Sequence, residues 1–147
     1  MIVPDTNLLL YAYDRTSPLH LPAKAWWENC LNGRESVGLP EVVAMAFLRL
    51  VTHPTLHENP MGISQATGIL FSWLECPPCQ LLVGRETTLP RAWRLLAEAG
   101  RGGNLTTDGW IAALTIEADA VLHTADREFS RFPGLRSKNP LAKTKNK

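Results

Sequence analysis

Several things are scarce in this sequence, and each scarcity removes a class of protein. Only three cysteines occur, Cys30, Cys76 and Cys79. They cannot all pair, and they do not make a secreted disulfide framework, so a reducing compartment is expected. No charge of one sign dominates: 15 Lys and Arg stand against 14 Asp and Glu. That balance excludes bulk attraction to nucleic acid or a membrane surface, and any such contact must be local. Long apolar runs are missing too. The longest, VVAMAFLRLV, is cut by Arg49 and falls far short of a membrane span. The opening MIVPDTN has no basic segment leading into an apolar one. No internal repeat is evident. The expectation is a cytoplasmic protein without membrane contact, its 147 residues forming one domain with a real core.

What is present alternates. Residues 2–4 form a short apolar run that stops at Asp5, and a dense apolar segment over residues 8–13 reads as a helix. After Ser17-Pro18, residues 23–31 give an amphipathic helix closed by Asn32-Gly33, and residues 36–39 a second strand. Pro40 suits the first turn of a helix that runs to Pro54, placing Glu41 in that turn. Ser64 is expected to cap a helix reaching Leu74, ended by Pro77-Pro78, with QLLV as a third strand. Thr87 or Thr88 opens a helix to about Ala99. GRGGN is the most flexible-looking stretch, residues 107–118 are helical, and AVLHT is a fourth strand. Strands alternating with helices predict an α/β fold with a parallel sheet covered on both faces. Residues 1–136 form the domain and residues 137–147 a basic tail.

In such a fold each strand leaves the sheet at its carboxyl edge, and each crossover helix begins near that edge. Asp5 follows the first strand, Glu41 opens the helix after the second, Asp108 opens the helix before the fourth, and Asp126 follows the fourth. All four carboxylates are therefore expected on the edge where open parallel sheets bind ligands. Gathered there they repel one another unless protons or a cation neutralise them. An all-oxygen set without Cys or His suits Mg²⁺ or Mn²⁺, and such an ion can activate water and relieve charge on a phosphoryl group.

The spaced segments PDTNLLLYAYD, LPEVVAMAFLRLVTHP, GNLTTDGWIAAL and HTADREFSRFPGLR resemble the PIN-domain ribonucleases, specifically the VapC toxins of toxin-antitoxin pairs, from residue 2 to about residue 136. The resemblance implies a three-layer α/β/α fold around a parallel sheet of four to five strands. It also implies a metal-dependent endoribonuclease held inactive by a VapB antitoxin, and a homodimer paired through apolar helix faces that Trp73 or Trp93 would join. Asp5, Glu41, Asp108 and Asp126 match the family's acidic quartet, with Asp5, Asp108 and Asp126 as metal ligands and Glu41 on a metal-bound water or a second ion. Thr6, Asn7 and Thr124 match supporting polar positions. Gly109 and Trp110 depart from the Ala and His common in relatives, which bears on substrate preference. Two alternatives stand beside this reading: a catalytically silent RNA- or partner-binding protein of the same fold, and a DNA-directed nuclease.

An RNA substrate needs cations near the acids, and Arg127, Arg131, Arg136, Lys138, Lys143, Lys145 and Lys147 face the single acid Glu128 in the last stretch. The remaining candidates have simpler roles. Asp14 reads as a turn or cap residue. His53 and His57 are separated by the helix-breaking Pro54 and lack an H-E-x-x-H frame, and His123 reads as a satisfied interior residue. Cys76 and Cys79 have C-x-x-C spacing without a second pair to complete a zinc site. Trp26 and Trp27, about 100° apart on a helix, are not both expected to be buried, leaving one to face a partner.

Overall fold

The computed structural model describes residues 1–143. In chain order they form β1 (Ile2–Pro4), α1 (Thr6–Tyr13), α2 (His20–Asn32), β2 (Val37–Pro40), α3 (Glu41–Val51), α4 (Ile63–Glu75), β3 (Cys79–Leu82), α5 (Thr88–Ala99), α6 (Thr106–Glu117), β4 (Val121–His123) and β5 (Ser137–Lys138). The five strands make one sheet in the order β3-β2-β1-β4-β5, and every pairing is parallel. Helices flank it in a three-layer α/β/α arrangement. Every residue of β1 and β2 is buried, as a sheet covered on both faces requires.

The chain runs outward from β1 to β2 and β3, then returns to the other side of β1 for β4 and β5. The strand order thus reverses between β1 and β4. Open parallel sheets form their ligand crevice at such a point.

An aromatic cluster anchors the helices on one side. Trp73 of α4 lies 4.8 Å from Phe47, 5.2 Å from Trp27 and 5.8 Å from Tyr13, ring centre to ring centre, and its indole N–H donates to the Tyr13 hydroxyl at 2.8 Å. Trp73 is only 1% exposed, so it cannot join a dimer surface, whereas Trp93 is 62% exposed. Trp27 is buried and Trp26 half-buried. Trp26 turns its indole N–H inward, donating to Nδ1 of His123 at 3.0 Å, and of the two it is the one that keeps part of its surface exposed.

Some local expectations move. Pro40 ends β2 and precedes α3 with extended backbone instead of entering the helix, because its carbonyl edge is still in register with Leu82 of β3. Gly62, not Ser64, stands at the cap of α4: the Met61 amide is tied to the Val51 carbonyl at 2.8 Å, so the chain turns two residues earlier. GRGGN is an organised turn. Gly100 takes φ of 70° to close α5 and Gly103 takes 57°, values that glycine adopts without steric cost, and Leu105 donates to the Gly102 carbonyl at 3.1 Å. Ser137 and Lys138, read as the start of a tail, add a fifth strand beside β4, with Thr124 donating to the Lys138 carbonyl at 3.0 Å. Two polar residues carry no periodic signal, and the neighbouring strand's free edge is what recruits them. Lys145 and Lys147 lie outside the described residues. Among the described residues no helix is long and apolar enough to cross a membrane.

Candidate active site

Asp5 leaves β1 at the switch point. Its backbone amide donates to the His123 carbonyl at 2.9 Å, extending the β1–β4 pairing by one residue and bringing the ends of both strands together. As N-cap of α1, its Oδ1 accepts from the Thr6 amide at 2.8 Å. Its Oδ2 accepts from the Thr124 hydroxyl at 2.7 Å. The same Thr124 oxygen accepts from the Asp126 amide at 2.9 Å. One buried hydroxyl therefore couples the orientation of Asp5 to the backbone position of Asp126. Asp126 in turn caps the tight helical turn Arg127–Arg131, its Oδ1 accepting from the Glu128 amide at 2.9 Å.

Asp108 reaches the same place by a different route. α5 and α6 form a helical hairpin, and the turn between them returns the chain so that Asp108 sits in the first turn of α6. Burial, followed by the charges of Asp5, Asp126 and Glu128, pushes its carboxyl from 3.8 up to about 7. Asp5 is only 7% exposed. Burial raises its carboxyl above the ordinary value, the Thr124 and Thr6 hydrogen bonds pull it down, and Asp126 raises it further. The charges of Asp5 and Asp126 thus both act on Asp108, and that of Asp126 acts on Asp5. Glu41 is the first residue of α3, directly after β2 and exposed. It stands at the carboxyl end of β2, on the same sheet edge.

Glu128 is a fifth acid that sequence reading passed over, counting it only as the exception in a basic stretch. Its spacing of two from Asp126 was the available signal. Two cations of that stretch are engaged: Arg131 pairs with Glu128 at 2.8 Å, and Arg136 with Asp119 at 2.6 Å. Behind the acids, His123 is held neutral. Burial, with Lys138 and the N-terminus adding to it against Glu35, pushes it down to about 4, and its Nδ1 accepts the Trp26 N–H.

The donor set fits a hard divalent ion. All candidate ligands are oxygens, two of the carboxyls are raised by burial and mutual repulsion, and the buried Oδ1 of Asn7, two residues after Asp5, has no hydrogen-bond partner among the described residues. Among the described residues no three His, Cys, Asp or Glu side chains are gathered closely enough to hold a metal ion by themselves. An ion held here would take part of its shell from water, as Mg²⁺ ordinarily does.

Known proteins place this arrangement. The family model for the PIN domain matches residues 2–135. Ribonuclease VapC33 of Mycobacterium tuberculosis is 38% identical over 141 residues, covering 96% of this chain and 99% of that protein. Among solved structures, VapBC-1 from nontypeable Haemophilus influenzae superposes with a TM-score of 0.69 at 18% identity, covering 97% of this chain and 100% of that one. The Mycobacterium tuberculosis VapC20, described as a sarcin-ricin loop cleaving toxin, superposes with a TM-score of 0.65 at 17% identity, covering 92% and 99%. With a family model over nearly the whole length and a close relative aligned end to end, the chain belongs to the PIN-domain family, in its VapC group.

Proposed function

We propose that this protein is a cytoplasmic, metal-dependent endoribonuclease that acts as the toxin of a toxin-antitoxin pair. The observation that carries the reading is that Asp5 and Asp126, tied together through the Thr124 hydroxyl at the β1–β4 switch point, both act by charge on Asp108. The 38% identity to a protein named a ribonuclease supports the substrate class. Asp5, Asp108 and Asp126 hold Mg²⁺ or Mn²⁺ directly or through water, and Glu41 holds an ion-bound water or a second ion. When bound, the ion supplies an activated water and relieves charge building on the phosphodiester oxygens. The chain's own residues prepare for this. Thr124 and the Thr6 amide fix both oxygens of Asp5, and Asp108, its carboxyl raised by burial and its acidic neighbours, would hold an ion in its deprotonated form.

The antitoxin is a VapB-like protein whose C-terminal segment lies across the early helices. A groove of about 1080 Å³ there, lined by Tyr11, Tyr13, Arg15, Leu50, Leu56 and Met61 among others, supports that seat. A homodimer paired through helix faces completes the proposed assembly.

Cleavage of labelled RNA by the purified protein tests the reading. Activity should require Mg²⁺ or Mn²⁺, vanish in chelator, and fall at least about 100-fold in Asp108→Asn, more than the loss typical of removing a group that only supports a ligand. Full activity in excess chelator would sink the metal mechanism. Equal cleavage of single-stranded DNA would shift the substrate class.

A further inference from the structure

The joint between α4 and β3 is the segment Cys76-Pro77-Pro78-Cys79, which the acidic site does not use. Cys76 ends α4, its amide donating to the Trp73 carbonyl at 3.1 Å. Cys79 opens β3, the strand at the sheet's edge. Between them the Cys79 amide donates back to the Cys76 carbonyl at 3.0 Å. A turn closed from its first residue to its fourth holds the end Cα atoms within about 7 Å, and disulfides span roughly 4.4 to 6.8 Å. Two prolines at the centre restrict φ and keep the turn from opening.

The two thiols differ as a stepwise oxidation requires. Cys76 is half-buried, and its thiol makes only a weak bond, donating to the Ser72 carbonyl at 3.4 Å. Cys79 is buried, 6% exposed. Burial and then Cys76, three residues away, push its thiol up to about 11. Both are reduced. Cys30 is buried on α2, outside the Cys76–Cys79 turn, so it serves as an internal control.

We propose that Cys76 and Cys79 form a reversible intramolecular disulfide that staples the end of α4 to the edge strand β3. With hydrogen peroxide as oxidant, the Cys76 thiolate attacks one peroxide oxygen. The O–O bond breaks, and hydroxide leaves and takes a proton as water. Cys79 then attacks the sulfur of the resulting sulfenic acid: the S–S bond forms, the S–O bond breaks, and the hydroxyl leaves with the Cys79 proton as a second water. Two thiols are oxidised by two electrons in all, and one peroxide is reduced to two waters. A small dithiol reverses the bond by exchange. A ring closed over so few residues constrains little of the unfolded chain, so the bond suits a reversible modification better than a permanent support.

The test treats the reduced full-length protein with hydrogen peroxide under native conditions, alkylates it in denaturant, and maps the peptides by mass. The peptide holding both cysteines should lose two hydrogens and accept no alkyl label. It should regain both labels after dithiothreitol, while Cys30 stays fully labelled, and Cys30→Ser should behave identically. In Cys79→Ser the same dose should drive Cys76 on to sulfinic acid. Sulfinic acid at Cys76 in the wild type with Cys79 still alkylatable would overturn the proposal, as would a bond only between two chains. The wild-type map needs no variant to fold. Slowed hydrogen exchange of β3 amides relative to β1 in the oxidised form is the expected structural signature, and equal exchange would refute the staple.

Discussion

Burial and three neighbouring carboxylates act in one direction on Asp108, lifting it from 3.8 to about 7. Between those values the folded protein keeps a proton that the unfolded chain has released. The contribution of Asp108 to the stability of the ion-free protein is therefore fully present below about pH 4 and is lost as pH rises through 7. His123 works oppositely: pushed down from 6.5 to about 4, its contribution is present above 6.5 and lost as pH falls through 4. Comparing wild type with Asp108→Asn cancels the His123 part. In chelator, the melting temperature of Asp108→Asn relative to wild type should rise steadily from about pH 4 to about pH 8. A difference that stays flat over that range would mean that Asp108 is not held in a crowded acidic site.

The α5–α6 hairpin carries Asp108 to the sheet edge, so its packing sets the site. Gly109 lies where the two helices meet: a Cβ there would stand 2.7 Å from Cγ of Leu96 and 2.9 Å from its Cδ2. Alanine normally gains roughly 0.5–1 kcal/mol over glycine inside a helix, but overpacking costs about 1–3 kcal/mol. Gly109→Ala should thus destabilise the protein by about 1 kcal/mol in urea melts. In a Leu96→Ala background, where the obstructing carbons are gone, the same change should become stabilising by a few tenths of a kcal/mol or more. The same sign in both backgrounds would show that the contact does not set the helix spacing. Element order was legible because apolar periodicity and Gly/Pro punctuation are local signals. β5 was not, because two polar residues pair only once β4 supplies a free edge.

Across the whole molecule, α5 turns Leu89 and Trp93, one helical turn apart, outward at 49% and 62% exposure. Large exposed apolar groups of this kind mark association surfaces. In the proposed homodimer, Trp93→Arg should shift the light-scattering mass from dimer to monomer while leaving the fold intact by circular dichroism; equal masses for both proteins would place the interface elsewhere, and a monomeric wild type at high concentration would remove the dimer. By itself, the sequence determined the alternation of strands and helices and the station of each acid at a strand's end or a helix's start. Those features follow from periodicity, caps and the rule that parallel strands leave by one edge. Only the tertiary structure decided that β1 lies beside β4 and not only beside β2. That adjacency lets the Thr124 hydroxyl reach Asp5 across 119 residues of chain while it also holds the Asp126 amide. It also buries Asp5 and sets it, with Asp126, where both charges act on Asp108. Strand order and burial depend on long-range packing of both sheet faces at once, and no local run of residues encodes them.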